Sequence, residues 1–336
     1  MDKFRILHFT DTHYTARCPI SRLERDGYLN ALLEKTAEVF ELGKKHNVDF
    51  YLHSGDFFDS PDISDSVAGK VGSFYLQHKN KDVYVLPGNH DLVGNNINTL
   101  NQTKLGLLGK LGVVKIINRY QPIIFEKAGK TLQLSGSPSD FNINDDRSAF
   151  ILEEKETDFA IHAVHAMLLK EKPNFGSYMP LNSIIDSTFA DVTISGHYHL
   201  GFDTTIHKNK VFLNPGALAR KSALYEEYIR MPKVNLITID CVTGKIDVKD
   251  IVLSSAKKGE EVIDREKLET EKEHNEKVLD FRMSLLKKEF AVNVDLTEVI
   301  NVIKEESDIE EEVISEALRR LDEANKVLSK TKGENV

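Results

Sequence analysis

Aspartate, histidine and asparagine recur in five short motifs along the chain, and these residue types hold divalent first-row metal ions. The motifs are Asp11-Thr12-His13, Gly55-Asp56-Phe57-Phe58-Asp59, Gly88-Asn89-His90-Asp91, His165, and Gly196-His197-Tyr198-His199. Imidazole, carboxylate and amide oxygen in this mixture suit Mn, Fe or Zn better than Ca or Mg. Two such ions about 3.5–4 Å apart, sharing one bridging carboxylate, would clamp both the attacking and the departing oxygen of a phosphate ester. Taken singly, each motif arises in many unrelated chains, and a lone histidine is ordinarily packed or solvated. Their joint order carries the weight.

That order is tied to the elements that must present them. Each motif stands just after a short apolar run, in turn residues 4–9, 50–53, 83–86, 159–164 and 192–195. Open α/β sheets place their ligands at the carboxyl ends of strands, so five such ends can converge on one point. Helical patterns over residues 23–46 and 63–78 separate the first three runs. In the first, Leu29, Leu32, Leu33, Thr36, Val39, Phe40 and Gly43 fall on one face, as the 3.6-residue period requires. Strand–helix–strand repetition implies parallel strands joined by right-handed crossovers.

The runs shorten over 113–135 and read as antiparallel strands, and residues 211–214 and 234–239 supply further strands. Thr243-Gly244 marks a closing hairpin between 236–241 and 246–253. The expected architecture is mixed α/β (α+β): a four-layer β-sandwich flanked by helices over residues 1–254, with a C-terminal helical extension over 255–336. In that extension one helix is expected over 264–290. Asp295-x-x-Glu298 and Ser307-x-x-Glu310 read as capping boxes opening two more. The last of these helices carries a narrow apolar seam of Ile314, Ala317, Leu321, Ala324 and Leu328, suited to the chain's own helices or to a partner helix.

Several neighbours of the motifs compete with them. His162 and His165 cannot both face a metal from one strand, because alternate residues point to opposite faces; His165, beyond the apolar run, is the expected ligand. His8 and His53 lie inside strands and are expected to be packed. Asp59 suits a hydrogen-bond acceptor that fixes His13. Tyr14, Phe57 and Tyr198 are expected in packing rather than in the cleft.

The five motifs in this order resemble those of the calcineurin-like metallophosphoesterases, and the resemblance covers residues 4–254. It implies one metal on Asp11, His13, Asp56 and His199, and a second on Asp56, Asn89, His165 and His197, with Asp56 bridging. It implies that His90 stabilises the phosphate or protonates the leaving oxygen, and that Asp91 orients His90. The implied reaction is in-line attack by a hydroxide held between the ions, with Asn89 helping to neutralise the phosphate. Residues 6–13 and Gly55-Asp56-Phe57-Phe58-Asp59-Ser60-Pro61 are similar to the SbcD branch of DNA repair nucleases, as is the stretch bearing Arg17 and Arg22. That branch implies a Mn-dependent exonuclease and endonuclease, acting on DNA as a homodimer with an SbcC-like coiled-coil ATPase. A free-standing phosphodiesterase or phosphatase for a small molecule or protein is the alternative, and a non-catalytic scaffold is a third reading. No strand-containing cap is recognisable after residue 254, a departure from the SbcD pattern.

Composition sets the outer limits. The net charge of -9 argues against a protein that coats nucleic acid by bulk charge. Most of the acidic excess sits beyond residue 254, where 22 acidic side chains face 15 basic ones, so a local basic surface on the remainder stays open. No run of about 18 apolar residues suggests a membrane span. Two distant cysteines make no disulfide framework, and the first residues read as no signal peptide. The expected home is a reducing cytoplasm.

Overall fold

A computed structural model describes residues 2–23, 27–173, 176–264 and 318–319. The chain divides into two compact units, Met1–Arg265 and Glu266–Val336. The helices and apolar seam expected within 265–336 lie outside the described residues, apart from a helical Leu318 and Arg319.

The first unit is built on two six-stranded sheets. The strands in chain order are β1 (Lys3–Phe9), β2 (Phe50–His53), β3 (Val83–Val85), β4 (Lys115–Ile116), β5 (Ile123–Lys127), β6 (Lys130–Ser137) and β7 (Phe159–Val164). A short pair follows, β8 (Leu168–Leu169) with β9 (Met179–Pro180), and then β10 (Val192–Ser195), β11 (Phe202–His207), β12 (Lys210–Asn214), β13 (Lys233–Asp240) and β14 (Ile246–Val252). One sheet runs β14-β13-β1-β2-β3-β4 and the other β11-β12-β10-β7-β6-β5. The ligand-bearing strands are parallel neighbours, β1–β2–β3 in one sheet and β7–β10 in the other.

Alternation along the strands makes the sandwich. Phe4, Ile6, Phe50 and Leu52 face Leu134, Ile161, Ile194 and Leu213 of the opposite sheet. The intervening residues Leu7, Phe9 and Tyr51 face outward, under α1 (Tyr28–His46), α2 (Asp65–His78) and α3 (Lys104–Lys110). A third apolar cluster, with Phe150, Ile184 and Phe212, covers the far face of the second sheet. Helix, sheet, sheet and helix give the four layers. Two faces buried on each central strand explain why those strands read as continuous apolar runs.

The structure departs from the sequence expectation at three places. The first helix starts at Tyr28, because Gly27 has φ 78°, a left-handed conformation that no helix interior accommodates. The second starts at Asp65, where the Ser64 hydroxyl accepts the Val67 N–H at 3.3 Å. Within 113–135 only β5–β6 is antiparallel; β4 pairs parallel to β3 and β6 parallel to β7. Among the described residues no helix is long and apolar enough to cross a membrane.

Candidate metal centre

The five strand ends meet. Beyond β1, the Asp11 N–H donates to the Gly55 carbonyl at 3.0 Å and the His13 N–H to the Asp56 carbonyl at 3.0 Å, so the first two motifs are stitched backbone to backbone. Beneath them Tyr14 and Phe57 stack edge to face at 5.1 Å, fully buried in the core under α1 and α2. On the other side the Leu218 and Ala219 N–H groups donate to the carbonyls of Thr10 and Asp11. Packing thus anchors the loops from both faces.

The backbone itself is forced. Asp11, His13, Asp56 and His197 have φ of 51°, 44°, 53° and 73°. Positive φ is uncommon outside glycine, and residues held in sparsely populated conformations cluster at functional sites. Gly55 has φ 116°, and a Cβ there would overlap the His165 ring. A Cβ on Gly88 would overlap the backbone nitrogen of Asp56. Both glycines are required by close approach.

Two groups of side chains result, and Asp56 is common to both: Asp11, His13, Asp56 and His199 in one, Asp56, His165 and His197 in the other. In the first, His13 Nε2 lies 3.0 Å from His199 Nε2 and 3.5 Å from Asp56 Oδ2, while His199 Nε2 lies 3.5 Å from Asp11 Oδ1. In the second, His165 Nε2 is 3.3 Å from Asp56 Oδ1. The Asn89 amide oxygen joins this group, 3.2 Å from His165 Nε2 and 2.9 Å from His197 Nδ1. All seven expected ligand residues are therefore brought together. Asp11, His13, Asp56 and His165 are buried, whereas Asn89, His197 and His199 are partly exposed and mark the open side.

The donor set fits divalent cations. Four imidazoles turn nitrogens toward two buried carboxylates and an amide oxygen, a convergence that neutral side chains satisfy poorly among themselves. Burial, then the charge of neighbouring His165, pulls His197 down to about 4, and burial holds His199 well below its usual value. Both are neutral at pH 7, the form that ligates metal. Burial pulls His165 down as well, but the carboxylates of Asp56 and Asp11 outweigh it and raise it to about 9. An imidazolium and a divalent cation are thus alternative ways to offset the same buried negative charge. His165 Nδ1 donates to the Ser54 carbonyl at 2.7 Å, which fixes the tautomer and turns Nε2 to the cluster. His162 instead faces away, hydrogen-bonded to Ser135 and to the Ala149 carbonyl.

His90 sits at the rim, its ring edge-on to His13 at 4.7 Å. Its N–H donates to Asp56 Oδ1 at 2.8 Å, and its Nδ1 is 2.8 Å from the Asp59 carbonyl oxygen. The orienting group expected for His90 was Asp91, and here the structure differs. The Asp91 carboxylate, fully buried, accepts the N–H groups of Phe57 at 3.1 Å, Phe58 at 2.9 Å and Gly88 at 2.9 Å. It clamps the backbone of two motifs, while the carbonyl of Asp59 holds the His90 ring. Burial, then the charge of Asp56, pushes Asp91 up to about 7 against the pull of those donors.

Two contributors carried no signal in the motifs. Lys221 pairs with the Asp59 carboxylate and approaches His13 Nδ1 at 3.4 Å; Asp59 Oδ1 also lies 3.3 Å from that nitrogen. Despite its burial, Asp59 is held well below the usual carboxylate range by hydrogen bonds with His13 and Lys221. Thr10 donates its hydroxyl to Asp11 Oδ2 at 2.7 Å. His8 is packed between Asn235 and Ser54, and His53 against Thr12.

Several known proteins are similar to this chain. Over 145 residues the chain is 28% identical to the DNA double-strand break repair protein Mre11 of Saccharolobus solfataricus. That match covers 40% of this chain and 33% of the relative, so it spans about a third of the relative's length. Among solved structures, the protein TT1561 of Thermus thermophilus aligns with a TM-score of 0.44 at 12% identity, over 74% of this chain and 98% of that one. A dimetal phosphatase from Danio rerio aligns with a TM-score of 0.44 at 11% identity, over 75% and 99%. The model of the calcineurin-like phosphoesterases matches residues 4–201, more than half of the 336 residues and all five motifs. The chain belongs to the calcineurin-like phosphoesterase family.

Proposed function

We propose that this metal-dependent phosphoesterase is a DNA nuclease of the SbcD type, hydrolysing phosphodiester bonds in DNA repair, recombination or replication. The carrying observation is the pair of ligand groups that share Asp56, the arrangement a two-ion phosphoester hydrolase requires. The 28% identity with a double-strand break repair protein and the Phe57-Phe58-Asp59-Ser60-Pro61 wording point to DNA as substrate. Manganese suits the mixed imidazole and carboxylate donors.

Asp11, His13, Asp56 and His199 would hold one ion, and Asp56, Asn89, His165 and His197 the other. Bound there, the pair supplies Lewis-acid charge to the phosphate and acidifies a water. The chain's own groups do the rest. Asn89, at the open side, orients the phosphate beside His165 and His197. The Asp59 carbonyl accepts from His90 Nδ1 and leaves Nε2 as the other ring nitrogen; with both nitrogens protonated, Nε2 carries the proton for the departing oxygen. His90→Ala should leave the bound metal unchanged and slow turnover by about 100-fold; metal analysis beside steady-state kinetics checks this, and unchanged turnover rejects the role.

An SbcC-like ATPase and a homodimer complete the proposal. Leu76 on α2, Leu107 on α3 and Leu111 at its end are 60%, 44% and 66% exposed, apolar surface that a second copy could cover. A purified chain that sediments as a monomer at all concentrations would remove the dimer. The decisive assay follows labelled DNA with Mn, Mg or Zn after EDTA treatment. Cleavage restored best by Mn is expected. Turnover of a chromogenic diester or a cyclic nucleotide, with DNA untouched, would overturn the nuclease and favour a free-standing phosphodiesterase.

A further inference from the structure

Two concavities adjoin on the open side of the metal cluster. The inner one, about 430 Å3, is lined by Asn89, His165 and His197 and, farther out, by Phe141. The outer one, about 510 Å3, is lined by Tyr120, Arg119 and four asparagines, Asn98, Asn101, Asn118 and Asn142. Asp140 and Ile143 line both, so the two lie side by side as a two-part trench whose inner part reaches the cluster. Each volume lies within the range of pockets that hold a small ligand, about 300–1,000 Å3.

The lining has a particular chemistry. Phe141 is 80% exposed and Tyr120 is 84% exposed, one ring in each compartment. Single exposed aromatics are ordinary, but two rings spaced along one trench that begins at a catalytic cluster offer faces for stacking. The rest of the outer part mixes amides with apolar side chains such as Ile97, Leu100 and Ile117. Arg119 is engaged by Asp146 at 3.4 Å and by Ser148 at 3.0 Å, and Asp140 adds a negative charge. Such a wall offers phosphates little attraction and suits neutral, flat groups with donor and acceptor edges, which asparagine matches in pairs. Asn95 donates to the Asp140 carbonyl at 3.0 Å and ties the two loops that form the inner wall.

We propose that the trench takes the unpaired bases of a single DNA strand whose scissile phosphate lies at the metal cluster, with Phe141 and Tyr120 as stacking platforms. The proposal rests on the nuclease reading above. A phosphodiester held at the cluster is joined to a further nucleotide, which must leave along a wall, and the inner part of this trench is lined by Asn89, His165 and His197. Bases enter it only when unpaired, so a duplex must open at its end before engaging. The sequence dependence is weak, because every base has a face to stack.

The test uses the full chain and the variants Phe141→Ala, Tyr120→Ala and Phe141→Trp. In EDTA, anisotropy of a labelled thymidine oligonucleotide should show Kd raised about 5- to 150-fold by either alanine, since stacking on an aromatic contributes about 1–3 kcal/mol per base. Phe141→Trp should restore binding, and a blunt duplex of equal length should bind more weakly and respond less. With Mn, the ratio of kcat/KM for the single strand to that for bis(p-nitrophenyl) phosphate should fall in parallel. If the parent cleaves DNA yet neither alanine changes Kd or that ratio, the trench is rejected and the nuclease stands. If the parent turns over the small diester but neither binds nor cleaves DNA, the nuclease reading falls and the trench with it.

Discussion

Asp56→Asn should cut turnover of any phosphodiester by about 1,000-fold or more, with the fold intact and the bound metal reduced. Removing one preorganised electrostatic partner commonly costs about 100- to 1,000-fold, and Asp56 serves both ligand groups at once. Asparagine is the informative replacement because it conserves volume in a site that is 1% exposed. It also keeps an oxygen for the His90 N–H at 2.8 Å, so the rim stays in place. What it removes is the negative charge that faces His13 and His165. Metal analysis, circular dichroism and kinetics on one preparation separate the effects. Turnover within tenfold of the parent, at unchanged metal content, would displace Asp56 from the centre of the account.

The chemistry was legible because its residues stand at the ends of apolar runs, and those runs are strands with both faces buried. Strand alternation allows only one of His162 and His165 to face the metals, the place of His165 beyond the apolar run selects it, and the structure turns His162 to Ala149 and Ser135. Other features leave no local mark. The start of α1 depends on Gly27 adopting φ 78°, while the apolar periodicity runs straight through from Leu23. Lys221 reaches Asp59 across 162 positions of sequence, in a segment whose wording gives no hint of that partner. Strand direction over 113–135 depends on which sheet edge each short run joins, and short runs carry no period that encodes it. Phe141 and Tyr120 sit on irregular loops, where only the fold brings Phe141 into the concavity of His165 and His197 and Tyr120 into the one beside it.

The Asp91 carboxylate gives the second large effect, and it separates two roles. If Asp91 merely oriented the His90 ring, Asp91→Ala would slow turnover and leave stability alone. The structure assigns it three backbone N–H partners, at Phe57, Phe58 and Gly88, all in the buried floor of the cluster. Alanine would leave these donors without an acceptor, and each buried unsatisfied group costs about 1–3 kcal/mol. A loss of roughly 3 kcal/mol or more is expected, since water can enter to recover part of the total. For a unit of this size that corresponds to a Tm lower by about 6–12 °C. Turnover should fall as well, because the same clamp holds the turn that carries Asn89 and His90 beside Asp56. Thermal unfolding in EDTA isolates the first effect from metal binding. A variant that melts with the parent while losing activity would return Asp91 to the orienting role and leave the Asp59 carbonyl without its assigned one.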